Sequence, residues 1–249
     1  MTAEIQKQLT QIEQEHEIRI IYACESGSRA WGFPSPDSDY DVRFIYAHKR
    51  DWYLGIDDKK DTIDLPINDL LDVNGWELRK SLRLLRGSNP PLYEWLQSPI
   101  VYREDEIACK PIKDNLRSFF SLRAGMHHYT SMVNNGLTND LAADIVRLKK
   151  YFYVLRTLCA AIWIADKREL PPMEFSTLRD VISDSSIQKT IDELLIEKAK
   201  NDERYTIVAL PDLNAFIADK LAYCNEVSRE LTPAKVDTAE LDKIFRAII

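Results

Sequence analysis

The sequence lacks long apolar runs and has few cysteines. No apolar run approaches the roughly 20 residues that a helix needs to cross a bilayer. The four cysteines, Cys24, Cys109, Cys159 and Cys224, lie at least 50 positions apart, which excludes a CxxC zinc motif and a dense disulfide framework. The N-terminal residues are acids and glutamines where a secretion signal has a basic start and an apolar centre. We therefore expect a soluble, cytoplasmic protein with no membrane partner.

The chain also lacks an excess of positive charge. Lys and Arg total 33 against 40 Asp and Glu, which gives a formal net charge of −7. This balance argues against a protein that wraps nucleic acid over its whole surface, because phosphates repel an acidic protein. A polyanionic partner would therefore have to bind one local patch.

The N-terminal part of the chain shows a mixed pattern of strands and helices. Residues 19–24 and 42–47 are β-branched, apolar segments typical of strands. Residues 75–85 alternate apolar and charged side chains at helical spacing, and Asn89-Pro90-Pro91 follows as a helix breaker. A chain of 249 residues can form two small domains, and we place the first, with mixed α and β structure, at residues 1–106.

The C-terminal part of the chain shows helical patterns. We predict an all-α second domain over residues 107–249, so that the fold class is α+β. The helices are expected near residues 111–134, 138–166, 174–182, 184–200 and 209–230. The second of these should bury one stripe, which consists of Ile145, Leu148, Phe152, Leu155, Cys159 and Ile162.

One stretch, CESGSRAWGFPSPDSDYDVRFIY at residues 24–46, combines glycines with closely spaced aspartates. A Walker phosphate-binding loop is a first interpretation, because Gly27 and Gly32 have the spacing of GxxxxGK[ST]. The motif then needs a lysine for the phosphates and a hydroxyl for magnesium, but Phe33 and Pro34 stand there. The Walker interpretation is therefore rejected.

A calcium-binding EF-hand loop is a second interpretation of the same stretch. Asp37, Asp39 and Asp41 match the first, third and fifth ligands of that loop. The sixth position requires glycine but holds Val42, and the twelfth requires glutamate but holds His48. This interpretation is rejected as well.

A third interpretation uses the whole stretch as a phosphate-binding turn followed by a metal-binding pair. Asp39 and Asp41 are two positions apart at the start of a strand, so their side chains point to one face and can hold the same divalent cation. Backbone N–H groups at the Gly27-Ser28 turn can bind phosphate oxygens. Asp72, on a later strand, would complete a two-metal site, although the N-cap of the following helix is another role open to it.

The pattern of Gly27-Ser28 with Asp39-x-Asp41 resembles the signature of the DNA polymerase β-like nucleotidyltransferase superfamily. The longer strings GSRAWGFPSPDSDYDVRFIY, LDVNGWELRKSLRLL, SNPPLYEWLQSPIVY and KKYFYVLR resemble its RlaP/YcgL-like branch, which has been linked to RNA repair. The resemblance extends over most of residues 19–180. It implies a polymerase β-like nucleotidyltransferase core, a mixed sheet with helices, followed by a helical domain that covers the nucleotide cleft.

The resemblance also implies a reaction, in which an NMP passes from an NTP to an acceptor hydroxyl and pyrophosphate leaves. Asp39, Asp41 and Asp72 would be the catalytic, metal-binding residues, with two Mg²⁺ ions as cofactors and Mn²⁺ as an alternative. Gly27 and Ser28 would bind the NTP phosphates, and Arg29 would add a charged contact. The third carboxylate is open at this point, because Asp64 and Asp69 compete with Asp72.

Three side chains of the helical domain are further candidates for binding the nucleotide. Lys149, Tyr153 and Arg156 stand at spacings of four and three, so they share one helix face. Related enzymes supply a lysine and an aromatic from a helical domain. A solvated helix face is the competing interpretation.

The motifs leave the acceptor open. RNA 3′ ends are favoured by the resemblance, but AMP transfer to a protein or a small molecule uses the same metal site. A non-catalytic nucleotide-binding or partner-binding module is a third hypothesis. The sequence does not determine the oligomeric state.

Overall fold

A computed structural model of the chain describes residues 1–66, 70–233 and 237–249. The chain forms two compact units. The first comprises Met1–Ala30, Asp39–Phe120 and the C-terminal helix, and the second comprises Trp31–Ser38 together with the chain from Ser121 through the long helix that ends at Ser228. This division differs from the predicted boundary after residue 106. The helices Glu106–Asp114 and Leu116–Phe119 and the C-terminal helix belong to the first unit, whereas the eight-residue connector at 31–38 belongs to the second. Sequence order does not reveal these assignments.

The first unit alternates strands and helices along the chain. Its strands are β1 (Arg19–Ser26), β2 (Tyr40–Ala47), β3 (Thr62–Asp64), β4 (Leu71–Glu77) and β5 (Val101–Glu104). Its helices are α1 (Thr2–His16), the short α2 (Gly27–Trp31, whose last residue is grouped with the second unit), α3 (Arg50–Tyr53), α4 (Leu78–Arg86), α5 (Pro90–Leu96), α6 (Glu106–Asp114), α7 (Leu116–Phe119) and, at the C-terminus, α13 (Thr238–Ile248).

The five strands form one mixed sheet in the order β3-β4-β2-β1-β5. β2 and β4 are parallel neighbours, whereas β1 pairs antiparallel with β2 and β5, and β3 pairs antiparallel with β4. The predicted α+β class, with a mixed sheet and helices in the N-terminal part, is confirmed.

One face of the sheet forms an apolar core with α1. In β2, Val42, Phe44 and Tyr46 are buried on this face, and Ile5 and Leu9 of α1 belong to the same cluster. Successive strand residues point to opposite faces, so Asp41 and Arg43 point to the other face. The alternation that fills the core therefore also fixes the direction of the polar side chains of β2.

Close packing of β4 on β2 requires a small residue in the core. A Cβ added to Gly75 would overlap the ring of Phe44. β4 continues to Glu77, whose carboxylate caps α4 by accepting hydrogen bonds from the backbone N–H groups of Arg79 and Lys80 at 2.7 and 3.0 Å. The helix therefore begins three residues later than the predicted Gly75, and Glu77 rather than Asp72 is its N-cap.

The second unit is largely helical. Its helices are α8 (Leu122–Asn135), α9 (Leu148–Lys167), α10 (Phe175–Leu178), α11 (Ser185–Lys200) and α12 (Pro211–Ser228), with a π-helical turn at Gly136–Asp140 and a 3-10 turn at Arg179–Val181. The predicted helical C-terminal region is confirmed. The expected helix at 111–134 is instead divided among α6, α7 and α8.

A two-stranded ribbon interrupts the helices of the second unit. β6 (Ile145–Arg147) pairs antiparallel with β7 (Thr206–Val208), two short strands about 60 residues apart in sequence. Ile145 is therefore not part of the buried helical stripe, and 65% of its surface is exposed. The other five members of the stripe are buried in α9.

Within the described ranges, no helix combines the length and the apolar character needed to cross a membrane.

Candidate active site

Two of the predicted metal ligands lie side by side on neighbouring strands. Asp41 of β2 and Asp72 of β4 are paired in the parallel register, and Ser26 of β1 is paired with Asp41 on its other side. Paired residues of adjacent strands point to the same face of a sheet. The end of β1 that leads into the Gly27-Ser28 turn is thus next to Asp41, and Asp72 lies on the opposite side of Asp41.

Arg43 holds the two carboxylates together. Its Nη2 atom donates to Asp41 Oδ1 at 2.9 Å and to Asp72 Oδ2 at 2.7 Å. Both oxygens contact one nitrogen, so they are at most 5.6 Å apart, the sum of the two distances. Two carboxylates that contact the same nitrogen are near enough for one divalent cation to bind both of them once Arg43 has moved away.

The competing carboxylates of the third-ligand position are placed differently. Asp64 is paired with Asn74 rather than with Asp41 or Asp72, and it accepts hydrogen bonds from the side chains of Asn74 and Thr62. Half of the Asp64 side chain is exposed, and Lys60 lies 3.5 Å away. Asp69 lies outside the described residues. Among the described candidates, the register places Asp72 next to Asp41.

Asp39 directly precedes β2, and its carbonyl oxygen accepts a hydrogen bond from Arg29 Nε at 3.0 Å. Across the described ranges, no three Asp, Glu, His or Cys side chains are grouped so that they could hold a metal ion. The structure thus brings two of the predicted ligands together, Asp41 and Asp72, and does not assemble the set of three.

The Gly27 turn packs directly against the Asp41 carboxylate. Gly27 has φ of +61°, in the left-handed region that favours glycine, and a Cβ at this position would overlap the carboxylate of Asp41. Ser28 follows as a buried residue of the short helix α2. A side chain at residue 27 would therefore push apart the two parts of the predicted motif.

A buried glutamate binds the backbone of Asp41. Glu25 is fully buried on β1, and its Oε1 accepts a hydrogen bond from the backbone N–H of Asp41 at 2.8 Å. The Tyr102 hydroxyl donates to the other oxygen, Oε2. Burial raises the pKa of Glu25, and the hydrogen bonds from Tyr102 and Asp41 oppose that rise in part.

The donor atoms at this site fit a magnesium or manganese ion. Carboxylate oxygens are the ligands that these hard cations prefer, and the glycine at residue 27 leaves room for the Asp41 carboxylate. The guanidinium of Arg43, a permanent cation, already lies between Asp41 and Asp72. Arg43 thus occupies the point where a bridging ion would bind, and the two carboxylates favour a positive charge there.

Arg29, a predicted phosphate ligand, makes contacts within the first unit. Besides its hydrogen bond to the Asp39 carbonyl, its guanidinium lies 3.9 Å from the centroid of the Tyr40 ring. These contacts tie the α2 turn to the residues that lead into β2.

The three candidates of the helical domain also have structural contacts. Lys149 Nζ donates to Glu203 Oε2 at 2.8 Å. The rings of Tyr153 and Trp31 are 5.7 Å apart, and the guanidinium of Arg156 lies 4.0 Å from the centroid of the Trp31 ring. Lys149, Tyr153 and Arg156 therefore each contact a residue within the second unit, two of them through one aromatic ring.

The connector between the turn and the aspartates, residues 31–38, packs within the second unit. Phe33 lies among aromatic rings, with the centroids of Phe152 and Phe175 at 5.1 and 5.4 Å. The buried Lys198 donates to Ser35 Oγ at 2.8 Å. The connector thus has apolar and polar anchors on the helices.

Glu203 is the main polar anchor of the connector. Its Oε1 accepts a hydrogen bond from Ser38 Oγ at 2.9 Å, and its backbone N–H donates to Asp37 Oδ1 at 3.0 Å. Burial acts to raise the pKa of Glu203, but the hydrogen bonds from Lys149 and Ser38 and the nearby positive charges lower it overall. Glu203 therefore remains charged and holds the end of the connector that leads to Asp39.

Sequence reasoning missed Arg43 and Glu25 as residues of the site. Arg43 lies two positions after Asp41, so strand periodicity alone placed it on the same face. Glu25 is the one acidic residue in the otherwise apolar part of β1, two positions before Gly27. Both signals are visible in the sequence, but Arg43 also contacts Asp72 on β4, and the partners of Glu25 lie on β2 and β5.

Comparison with known proteins identifies the family of the chain. The family model RlaP, described as an RNA repair pathway DNA polymerase beta family, matches residues 1–247. The chain belongs to this family. The chain is also 41% identical over 247 residues to the uncharacterized protein YcgL of Bacillus subtilis (strain 168), covering 98% of this chain and 95% of the relative.

One solved structure is similar to the chain at low identity. It is a nucleotidyltransferase-like protein from Exiguobacterium sibiricum 255-15, with 14% identity and a TM-score of 0.33, covering 96% of this chain and 77% of that protein. Membership of the polymerase beta family therefore depends on the family model and on the relative, and the predicted family is confirmed.

Proposed function

We propose that the protein is a metal-dependent nucleotidyltransferase that moves an NMP from an NTP to an acceptor hydroxyl, with RNA 3′ ends as the acceptor. The observation that carries the proposal is the pairing of Asp41 and Asp72 on parallel strands, with the Gly27 turn packed against Asp41. Family membership supports both the reaction and the RNA acceptor.

In this proposal the residues of the first unit have separate tasks. Backbone N–H groups of Gly27 and Ser28 bind the triphosphate, and Arg29 adds a charged contact. Asp39, Asp41 and Asp72 would hold two Mg²⁺ or Mn²⁺ ions, which would lower the pKa of the acceptor hydroxyl and neutralise the phosphates. The acceptor hydroxyl gives its proton to solvent, its oxygen forms a bond to the α-phosphorus, the bond from that phosphorus to the bridging oxygen breaks, and pyrophosphate leaves.

The candidates of the second unit belong to the same proposal. Lys149 and Arg156 are cations and Tyr153 is aromatic, so they suit the phosphates and the base of a nucleotide. For Lys149 this role requires exchange of its Glu203 partner for a phosphate oxygen.

The test is a labelling assay. Purified protein is incubated with each α-labelled NTP, Mg²⁺ or Mn²⁺, and RNA, protein or small-molecule acceptors in separate reactions. We expect label on RNA, and a loss of about a thousandfold or more in Asp39→Ala, Asp41→Ala and Asp72→Ala, because losing a bridging carboxylate costs several kcal/mol of barrier.

Asp64→Ala is the matched control, since it removes a carboxylate of the same sheet that contacts Asn74 and Lys60 instead. If only a protein or a small molecule becomes labelled, RNA is refuted as the acceptor, but the protein is still a transferase. No label under any condition, with NTP binding intact, would favour a non-catalytic nucleotide-binding module.

A further inference from the structure

The strongest unexplained feature of the site is the position of Arg43. Its Nη2 atom lies within 3 Å of one oxygen of Asp41 and one oxygen of Asp72. These are two of the three carboxylates that the proposed function assigns to the metal ions. The guanidinium thus occupies the space between two groups that would otherwise face each other as like charges.

The second guanidinium nitrogen fixes the orientation of the first. Nη1 of Arg43 donates to the backbone carbonyl oxygens of Asp72 at 3.0 Å and of Val42 at 3.2 Å. The side chain is only 17% exposed. Two carboxylate contacts and two carbonyl contacts therefore hold the fork in a single place, which the rigid geometry of a guanidinium favours.

Arg43 carries a permanent positive charge. A divalent cation that bridges Asp41 and Asp72 would meet this charge at close range. In a partly buried site such a repulsion is weakly screened. Arg43 and a bridging ion thus compete for the same two oxygen atoms, Asp41 Oδ1 and Asp72 Oδ2.

We propose that Arg43 is an internal cation that keeps Asp41 and Asp72 together in the absence of a divalent metal and competes with that metal for them. The inference depends on the proposed function for the identity of the metal site. Arg43 is then a positioning residue, because it acts on the substrate only through the two carboxylates. Its release is a condition for Asp72 to bind the same ion as Asp41.

The experiment measures metal binding directly. Mn²⁺ is titrated into the full-length, nucleotide-free protein, and bound metal is followed by electron paramagnetic resonance and by calorimetry. We expect Arg43→Gln to bind Mn²⁺ at least about tenfold more tightly than the wild type, since a nearby positive charge is gone. Asp41→Asn in the Arg43→Gln background should abolish this gain.

Arg103→Gln is the matched control. Arg103 lies on β5 of the same sheet, is 24% exposed and has its own carboxylate partner, Glu13, at 2.6 Å. Its removal costs the protein a similar ion pair but leaves Asp41 and Asp72 unchanged. We expect its Mn²⁺ affinity to equal that of the wild type.

A charge-retaining variant keeps the test valid if Arg43→Gln does not fold. Lysine keeps the cation but lacks the fork that makes the two carbonyl contacts, so Arg43→Lys should compete less well and bind Mn²⁺ about threefold more tightly than the wild type. If Arg43→Gln or Arg43→Lys folds and binds Mn²⁺ no more tightly than the wild type, the proposal is overturned.

The outcome can be separated from that of the proposed function. The titration contains no nucleotide and no acceptor, so a protein that transfers nothing can still show the competition. Conversely, suppose that transfer requires Asp41 but that substitution of Arg43 does not change the Mn²⁺ affinity. The competition by Arg43 would then be refuted, and the transferase proposal would stand.

Discussion

Replacement of Gly27 by alanine offers a sharp test of how the turn and the metal pair depend on each other. Gly27 has φ of +61°, and an added Cβ would overlap the carboxylate of Asp41. The variant Gly27→Ala therefore combines a strained backbone with a displaced side chain. We expect it to lose both stability and transfer activity.

The two effects can be given separate magnitudes. An L-residue in the left-handed region costs about 1–2 kcal/mol. Forcing an extra methyl group into a packed position adds about 1–3 kcal/mol. The expected loss of unfolding free energy for Gly27→Ala is thus about 2–5 kcal/mol.

Gly32→Ala isolates the backbone effect. Gly32 also has a positive φ, +91°, but a Cβ there would meet no atom within 4 Å. We therefore expect about 1–2 kcal/mol for this variant, since it has the strain without the collision. The difference between the two variants measures the cost of displacing Asp41.

A double-mutant cycle gives the decisive comparison. Asp41→Ala removes the carboxylate that the new methyl group would meet, so Gly27→Ala should cost about 1–3 kcal/mol less in that background than in the wild type. Unfolding is followed in urea by tryptophan fluorescence and circular dichroism. Equal costs for Gly27→Ala and Gly32→Ala, together with a coupling energy near zero, would refute the reasoning.

Two further predictions concern ionisable groups. Burial raises the pKa of folded Glu25, so above pH 4.5 the folded wild type binds more protons than the unfolded chain, and its free energy of unfolding falls as the pH rises. Glu25→Gln lacks this group, so its free energy of unfolding should fall less over the same range. Urea unfolding from pH 4 to 7 measures this, and parallel curves for the two proteins would contradict it. Lys149→Met should weaken NTP binding about tenfold, whereas Lys150→Met, which breaks an ion pair with Asp140 instead, should change it less than twofold. Equal losses in a fluorescent-nucleotide titration would place Lys149 in a purely structural role.

Local patterns were sufficient to predict the mixed sheet and the helical region. Strand periodicity and the breaker at Asn89-Pro90-Pro91 act within a few residues, so they can be recognised without the fold. The ribbon β6–β7 could not be predicted in this way. Each of its strands has three residues, and the pairing joins segments about 60 residues apart.

The same limit applies to the division into units. The connector at 31–38 follows the turn directly in sequence, yet Phe33 packs against Phe152 and Phe175, and Lys198 contacts Ser35. These partners are more than 100 residues away. A boundary drawn where the composition changes cannot include such a segment, because the composition of a short connector does not say which core will bury it.

The sequence by itself determined the family and the mixed pattern of strands and helices, because motifs and periodicity depend on residues that are close together in the chain. The Asp39-x-Asp41 metal pair stays a prediction. Only the tertiary structure decided that Asp72 rather than Asp64 stands beside Asp41, since a parallel register shifted by two residues would exchange Asp72 for Asn74. It also placed Arg43 between the two carboxylates. Residue types fix which chemistry a site can perform, whereas the pairing of distant strands fixes which side chains meet there.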